Sequence, residues 1–200
     1  MHQHSVTFGA YASTSTMPMP KNQAVRTSVT SPLQVAWLET PSECRVGLTF
    51  APGKRGPSTE GAPWERDLHA DLDVLVAKGI RTIACLVHTH ELVRWGIADL
   101  PSAAAARGIE LLHRPIRDVS VPTLDDARSL VRELLARRDK PILVHCIGGL
   151  GRTGVIAGCL LRALDIAPDE ALRRLVAARG TRCPETLEQR QFVTDFSLNA

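Results

Sequence analysis

Pro141-Ile142-Leu143-Val144-His145-Cys146-Ile147-Gly148-Gly149-Leu150-Gly151-Arg152-Thr153-Gly154 is the stretch on which the fold reading turns. It opens on a short apolar run, the pattern of a buried strand. A glycine-rich turn follows, and then residues 155–164 are nearly all apolar, as a buried helix would be. Strand, turn and helix in that order form the repeating unit of an α/β sheet, whose ligands gather at the carboxyl ends of its strands.

Working upstream, residues 35–38 and 44–50 read as short strands, followed by a Pro/Gly-rich loop over 51–63. Residues 64–78 place Leu68, Leu72, Leu75 and Val76 on one helix face, and Gly79 ends the run. A buried strand is expected over 80–87, short helices over 90–95 and 101–107, and a strand over 109–116. Thr123 opens a helix with Asp126 three residues on, a capping-box pattern. Downstream, Pro168 sits in the first turn of a helix that Gly180 ends, and a last helix covers 185–196. No internal repeat is visible. The expectation is a single α/β domain over 32–200, a mostly parallel central sheet with helices on both faces.

Composition agrees. The chain has 200 residues, 44% apolar and 22% charged, which excludes collagen, coiled coil and wholesale disorder. No apolar run approaches the roughly 20 residues needed to span a bilayer. A net charge of +3 is too small to imply nucleic acid. Five cysteines, an odd number, argue against a disulfide framework and for a reducing, cytoplasmic setting. Residues 1–31 hold no acid and are rich in Ser and Thr; lacking an apolar core or an Arg-rich character, they read as a disordered tail rather than a targeting segment. The charge is uneven, because residues 137–182 carry nine Arg and Lys against four Asp and Glu.

The glycine-rich turn carries the chemistry. Cys146 stands at the end of a strand. The backbone from Ile147 through Gly148, Gly149, Leu150 and Gly151 can curl its N–H groups inward, making an anion nest at a helix N-terminus. Such a nest stabilises a thiolate and can hold phosphoryl oxygens. Arg152, six residues after Cys146, can grip two of those oxygens at once, which Lys could not. The Thr153 hydroxyl can donate to the sulfur and help it leave, and the His145 ring is expected to hold the loop in shape. Residues 149–154 also match a dinucleotide glycine fingerprint, but the second strand that fold requires is replaced by a helical pattern over 168–179.

Cys-x5-Arg-Thr after His is the spacing of cysteine-dependent protein phosphatases, and the wider chain resembles the kinase-associated dual-specificity phosphatase family over residues 33–196. The resemblance rests on Val46-Gly47-Leu48, Ala51-Pro52-Gly53-Lys54, His90-Glu91-Leu92, Gly96-Ile97-Ala98-Asp99-Leu100, Pro115-Ile116-Arg117-Asp118, residues 145–152 and Glu185-Thr186-Leu187-Glu188-Gln189. It implies a dual-specificity or tyrosine phosphatase-like fold. It also implies a metal-independent, two-step hydrolysis of phosphotyrosine, phosphoserine or phosphothreonine in a phosphorylated protein or peptide, with no cofactor and no nucleic acid or membrane partner. Cys146 would form a phosphocysteine, and Asp118 would match the general acid. Where the family often has two glycines after that acid, this chain has Val119-Ser120. Asp125 and Asp126 are nearby alternatives that read as helix caps. A phosphate-binding module without turnover is the competing expectation.

Other groups have bland readings. His88, His90 and Glu91 lack the further ligands a metal site needs. Cys85 could lie beneath Cys146 as a resolving thiol but reads as core, as do Cys44, Cys159 and Cys183. Gln189 could orient water or serve packing. Arg173, Arg174, Arg179 and Arg182 form either a solvated face or a rim that steers phosphorylated substrates.

Overall fold

The central strand of the computed structural model is the apolar run that precedes Cys146. Residues 24–41, 44–58 and 61–198 are described. In chain order the elements are β1 (Ala36–Trp37), β2 (Val46–Thr49), β3 (Arg55–Gly56), β4 (Trp64–Glu65), α1 (Leu68–Ala77), β5 (Thr82–Cys85), α2 (Thr89–Arg94), α3 (Leu100–Ala105), β6 (Glu110–His113), α4 (Leu124–Leu135), β7 (Ile142–His145), α5 (Gly151–Ala163), α6 (Pro168–Arg179) and α7 (Leu187–Asp195). The main sheet has the order β1-β2-β7-β5-β6. Its β1 edge is antiparallel and every other pairing is parallel.

Covered on both faces, β7 has no solvent side, so it has no need of alternating polarity and is buried throughout. Right-handed crossovers place α1 and α3 on one face and α4 on the other. There α5 packs against α4, α6 and α7. Val155, Ile156, Ala157, Cys159, Leu160 and Leu161 are all at 0% exposure, which explains why α5 is apolar all round. The expected α/β architecture with flanking helices is therefore present. Among the described residues no helix is long and apolar enough to cross a membrane.

Three boundaries differ from the sequence expectation. The helix expected from residue 64 begins at Leu68, because Asp67 caps it by accepting from the Ala70 amide. Trp64–Glu65 instead pairs with Arg55–Gly56 as a small hairpin. The helix expected from residue 155 begins a turn earlier at Gly151, so Arg152 and Thr153 lie in its first turn. Residues 1–23 of the expected tail lie outside the described residues, but residues 24–31 are tied to the domain. Arg26 exchanges backbone hydrogen bonds with Pro63 and Glu65, and its guanidinium lies 3.7 Å from the Trp64 ring centre. Composition cannot register such a contact, because its partner is far along the chain.

Candidate active site

The parallel strands bring four loops to one edge of the sheet: those after β2, β5, β6 and β7. The loop after β7 carries Cys146, which is 4% exposed. The Gly149 amide donates to Cys146 Sγ at 3.2 Å. Gly149 has φ +72°, and a Cβ there would strike the Thr49 carbonyl of β2, so no other residue fits. No side chain caps the N-terminus of α5, which leaves its first-turn amides for an anion.

Arg152 is 2% exposed and held on several sides. Its Nη1 donates to Glu91 Oε2 at 2.8 Å, to the Ile116 carbonyl at 3.1 Å and to the Leu86 carbonyl at 3.3 Å. Its Nη2 donates to Glu91 Oε1 at 3.0 Å and lies 2.9 Å from Asp118 Oδ1. Its Nε is buried and has no partner among the described residues. Burial works to raise the Glu91 pKa, but the bonds from Arg152 and from the His88 amide outweigh it and hold the carboxyl below its usual range. Glu91 is thus committed to the guanidinium; His88 and His90 stack on each other with ring centres 5.4 Å apart.

Asp118 follows β6 on a loop where Val119 takes φ +60°, and its side chain is 67% exposed. The structure brings it to Arg152. Asp126 accepts from the Thr123 hydroxyl at 2.6 Å and Asp125 lies 3.8 Å from Arg128, so both serve α4. His145 is fully buried, and its Nδ1–H donates to the Cys146 carbonyl at 3.2 Å. Burial lowers its pKa to about 4, so the ring is neutral and holds the loop. Thr153 Oγ1 is buried without a partner among the described residues, and the group that donates to the sulfur is the Gly149 amide.

A family model described as "Tc-R-P: Polymorphic toxin system, DSP-PTPase phosphatase" matches residues 59–164. The chain belongs to this phosphatase family. It is 28% identical over 173 residues to cyclin-dependent kinase inhibitor 3 of Rattus norvegicus, covering 83% of this chain and 79% of that protein. The solved kinase associated phosphatase, with its catalytic-site cysteine replaced by serine, superposes with TM-score 0.75 at 26% identity, covering 83% of this chain and 94% of that one. Tk-PTP in its active form gives TM-score 0.61 at 25% identity, covering 82% and 98%.

Around the loop of this DSP-PTPase phosphatase, several groups act as braces. Arg179 donates from Nε to the Gly149 carbonyl at 3.0 Å and from Nη2 to the Gly148 carbonyl at 3.2 Å. Of the four expected rim arginines, Arg173 and Arg174 instead pair with Glu170. Gln189 is fully buried; its Oε1 accepts from the Glu185 and Thr186 amides, and its Nε2 donates to the Ser120 carbonyl at 3.1 Å. It therefore ties α7 to the loop that carries Asp118. Cys85 is fully buried at the end of β5, and burial pushes its thiol up to about 12, the behaviour of a core residue. All five cysteines are buried, and none forms a disulfide among the described residues.

Sequence reasoning missed Lys54. It is 6% exposed, and its Nζ donates to the Ile147 carbonyl at 3.3 Å. It also lies 4.6 Å and 4.4 Å from the Phe50 and Trp64 ring centres. Burial lowers its pKa to about 8, against the opposing pull of nearby Cys146. The loop bearing Lys54 is anchored by a buried pair: Arg66 and Asp71 meet at 2.7 Å, and Asp71 also accepts from the Gly53 amide at 2.8 Å. The only signal was Pro52-Gly53-Lys54 among the motif residues, which says nothing of where the ammonium points.

Proposed function

We propose that this protein hydrolyses phosphate monoesters on protein side chains, phosphotyrosine and/or phosphoserine and phosphothreonine, through a phosphocysteine on Cys146. The observation that carries the reading is the juxtaposition of the Cys146 loop, the buried Arg152 and the Asp118 carboxylate at one strand edge. In the first step the Cys146 thiolate attacks phosphorus, the ester P–O bond breaks, and Asp118 gives its proton to the leaving oxygen. In the second, water attacks phosphorus, Asp118 takes its proton, the S–P bond breaks, and inorganic phosphate departs. The amides of residues 147–152 and Arg152 hold the three non-bridging oxygens.

Glu91 presets the guanidinium plane, so binding requires little reorganisation. The unpaired Arg152 Nε is the donor left for a phosphoryl oxygen. Nη2 is the donor Asp118 must release, and a protonated Asp118, ready to act as acid, has no charge to keep it there. The Thr153 hydroxyl, without a partner among the described residues, is the donor assigned to the departing sulfur in the second step.

The test is turnover of para-nitrophenyl phosphate in the presence of a chelator, with wild type and Cys146→Ser. Metal-independent turnover that disappears in the variant is the expected result. Phosphate binding without turnover at any pH would leave a binding module instead.

A further inference from the structure

Beside the phosphate loop opens a cleft of about 320 Å³ that the two-step reaction does not use. One wall is the outer side of the loop, Ile147 and Leu150; the other is aromatic, with Phe50 and Trp64 at a ring-centre distance of 5.1 Å. Among the described residues that line it, the charged ones are Arg26, Lys54, Arg182 and Glu185. Lys54 is the telling member. It is almost wholly buried, yet the partners of its ammonium are a carbonyl oxygen and two ring faces, and no carboxylate among the described residues forms an ion pair with it. A desolvated cation with donors left over, at the wall of a cleft, is placed for an anion that arrives with a ligand. Its position is fixed rather than incidental, since the Arg66–Asp71 pair and the Gly53 amide clamp the loop that bears it.

We propose that this cleft is a subsite for a second acidic group, a phosphate or a carboxylate, carried by the phosphoprotein close to the phosphorylated residue, with Lys54 as its main donor. The inference rests on the phosphatase reading above and adds a substrate class to it. The apolar walls suit a peptide, whose neighbouring side chains can cover Phe50, Trp64 and Leu150; a polyol headgroup offers nothing to them.

The experiment compares kcat/KM for phosphopeptides that differ only beside the phosphorylated residue: neutral, glutamate-bearing, and bearing a second phosphate. A soluble inositol bisphosphate headgroup serves as a fourth substrate. The expected result is a preference of about tenfold or more for the acidic peptides over the neutral one, reduced by added salt. In Lys54→Gln that ratio falls toward one, whatever the absolute rates. The glutamate and phosphate arms tell which acidic group is preferred. Should Lys54→Gln fail to fold, Arg182→Gln and the salt dependence of the wild-type ratio carry the same test. Equal rates on all peptides in wild type, or a full preference kept in Lys54→Gln, overturns the subsite. So does a Lys54-dependent preference confined to the inositol headgroup. Absence of any turnover, para-nitrophenyl phosphate included, overturns the phosphatase reading instead.

Discussion

At the scale of single residues, Cys146, Arg152 and Asp118 are separable by experiment because the proposed mechanism has each act at a different point. Cys146→Ser is expected to lower kcat by about 10³-fold or more while phosphate binding persists, measured by turnover and by calorimetry with inorganic phosphate. Asp118→Asn removes the proton donor, and the loss should be about 10²–10⁴-fold on a poor leaving group, much less on para-nitrophenyl phosphate. Because the acid must be protonated for the first step, the alkaline limb of the pH–rate profile should flatten in that variant; an unchanged limb moves the role to another group. Glu91→Gln tests positioning. It weakens a two-point, charge-assisted hold on Arg152, and about 10–100-fold in kcat/KM is expected, together with weaker competitive inhibition by phosphate.

At the scale of elements, the loop between β2 and α1 depends on one buried ion pair. Asp71 accepts from Arg66 through both oxygens and from the Gly53 amide, with the two side chains at 0% and 1% exposure. Asp71→Ala strands a buried guanidinium and a buried N–H together. Urea unfolding should show a loss of about 3–5 kcal/mol, and a loss under 1 kcal/mol would mean the pair is dispensable. The apolar periodicity of α1 was readable as a helix, but its start was not. Asp67 and Trp64 each compete for the first turn, and the contact of Trp64 with Arg26 and Phe50 decides the outcome in favour of a hairpin.

At the scale of the whole molecule, stability carries a pH signature from His145. Its pKa in the folded protein is about 4, below the value near 6.5 of an unfolded chain, because burial in the core disfavours the cation. The unfolded state therefore takes up a proton between those values that the native state refuses. The effect is absent above about pH 6.5, and stability falls as pH drops toward 4, by at most about 1.4 kcal/mol per pH unit from this group. Comparing denaturant midpoints of wild type and His145→Asn from pH 7 to 4.5 isolates it, since other groups titrate alike in both. Parallel slopes would remove His145 from the account.

The chain by itself determined the strand–turn–helix around Cys146 and the α/β class, and it singled out the candidate nucleophile and arginine. Their signals are local: an apolar run, a cluster of glycines and a fixed spacing all lie within about two dozen residues. The tertiary structure alone decided which distant groups meet them. Glu91 reaches Arg152 across 61 positions, and Lys54 reaches the loop carbonyl of Ile147 across 93. Gln189 reaches the loop carrying Asp118 across 69. Such partners are set by strand order, since β2 and β5 must flank β7, and β6 must lie beside β5, before their loops can share an edge, and no local pattern encodes that order. The same reason explains Thr153 and Gly149. Residue types offered two donors to the sulfur, and the backbone path of the folded loop brings the Gly149 amide to it.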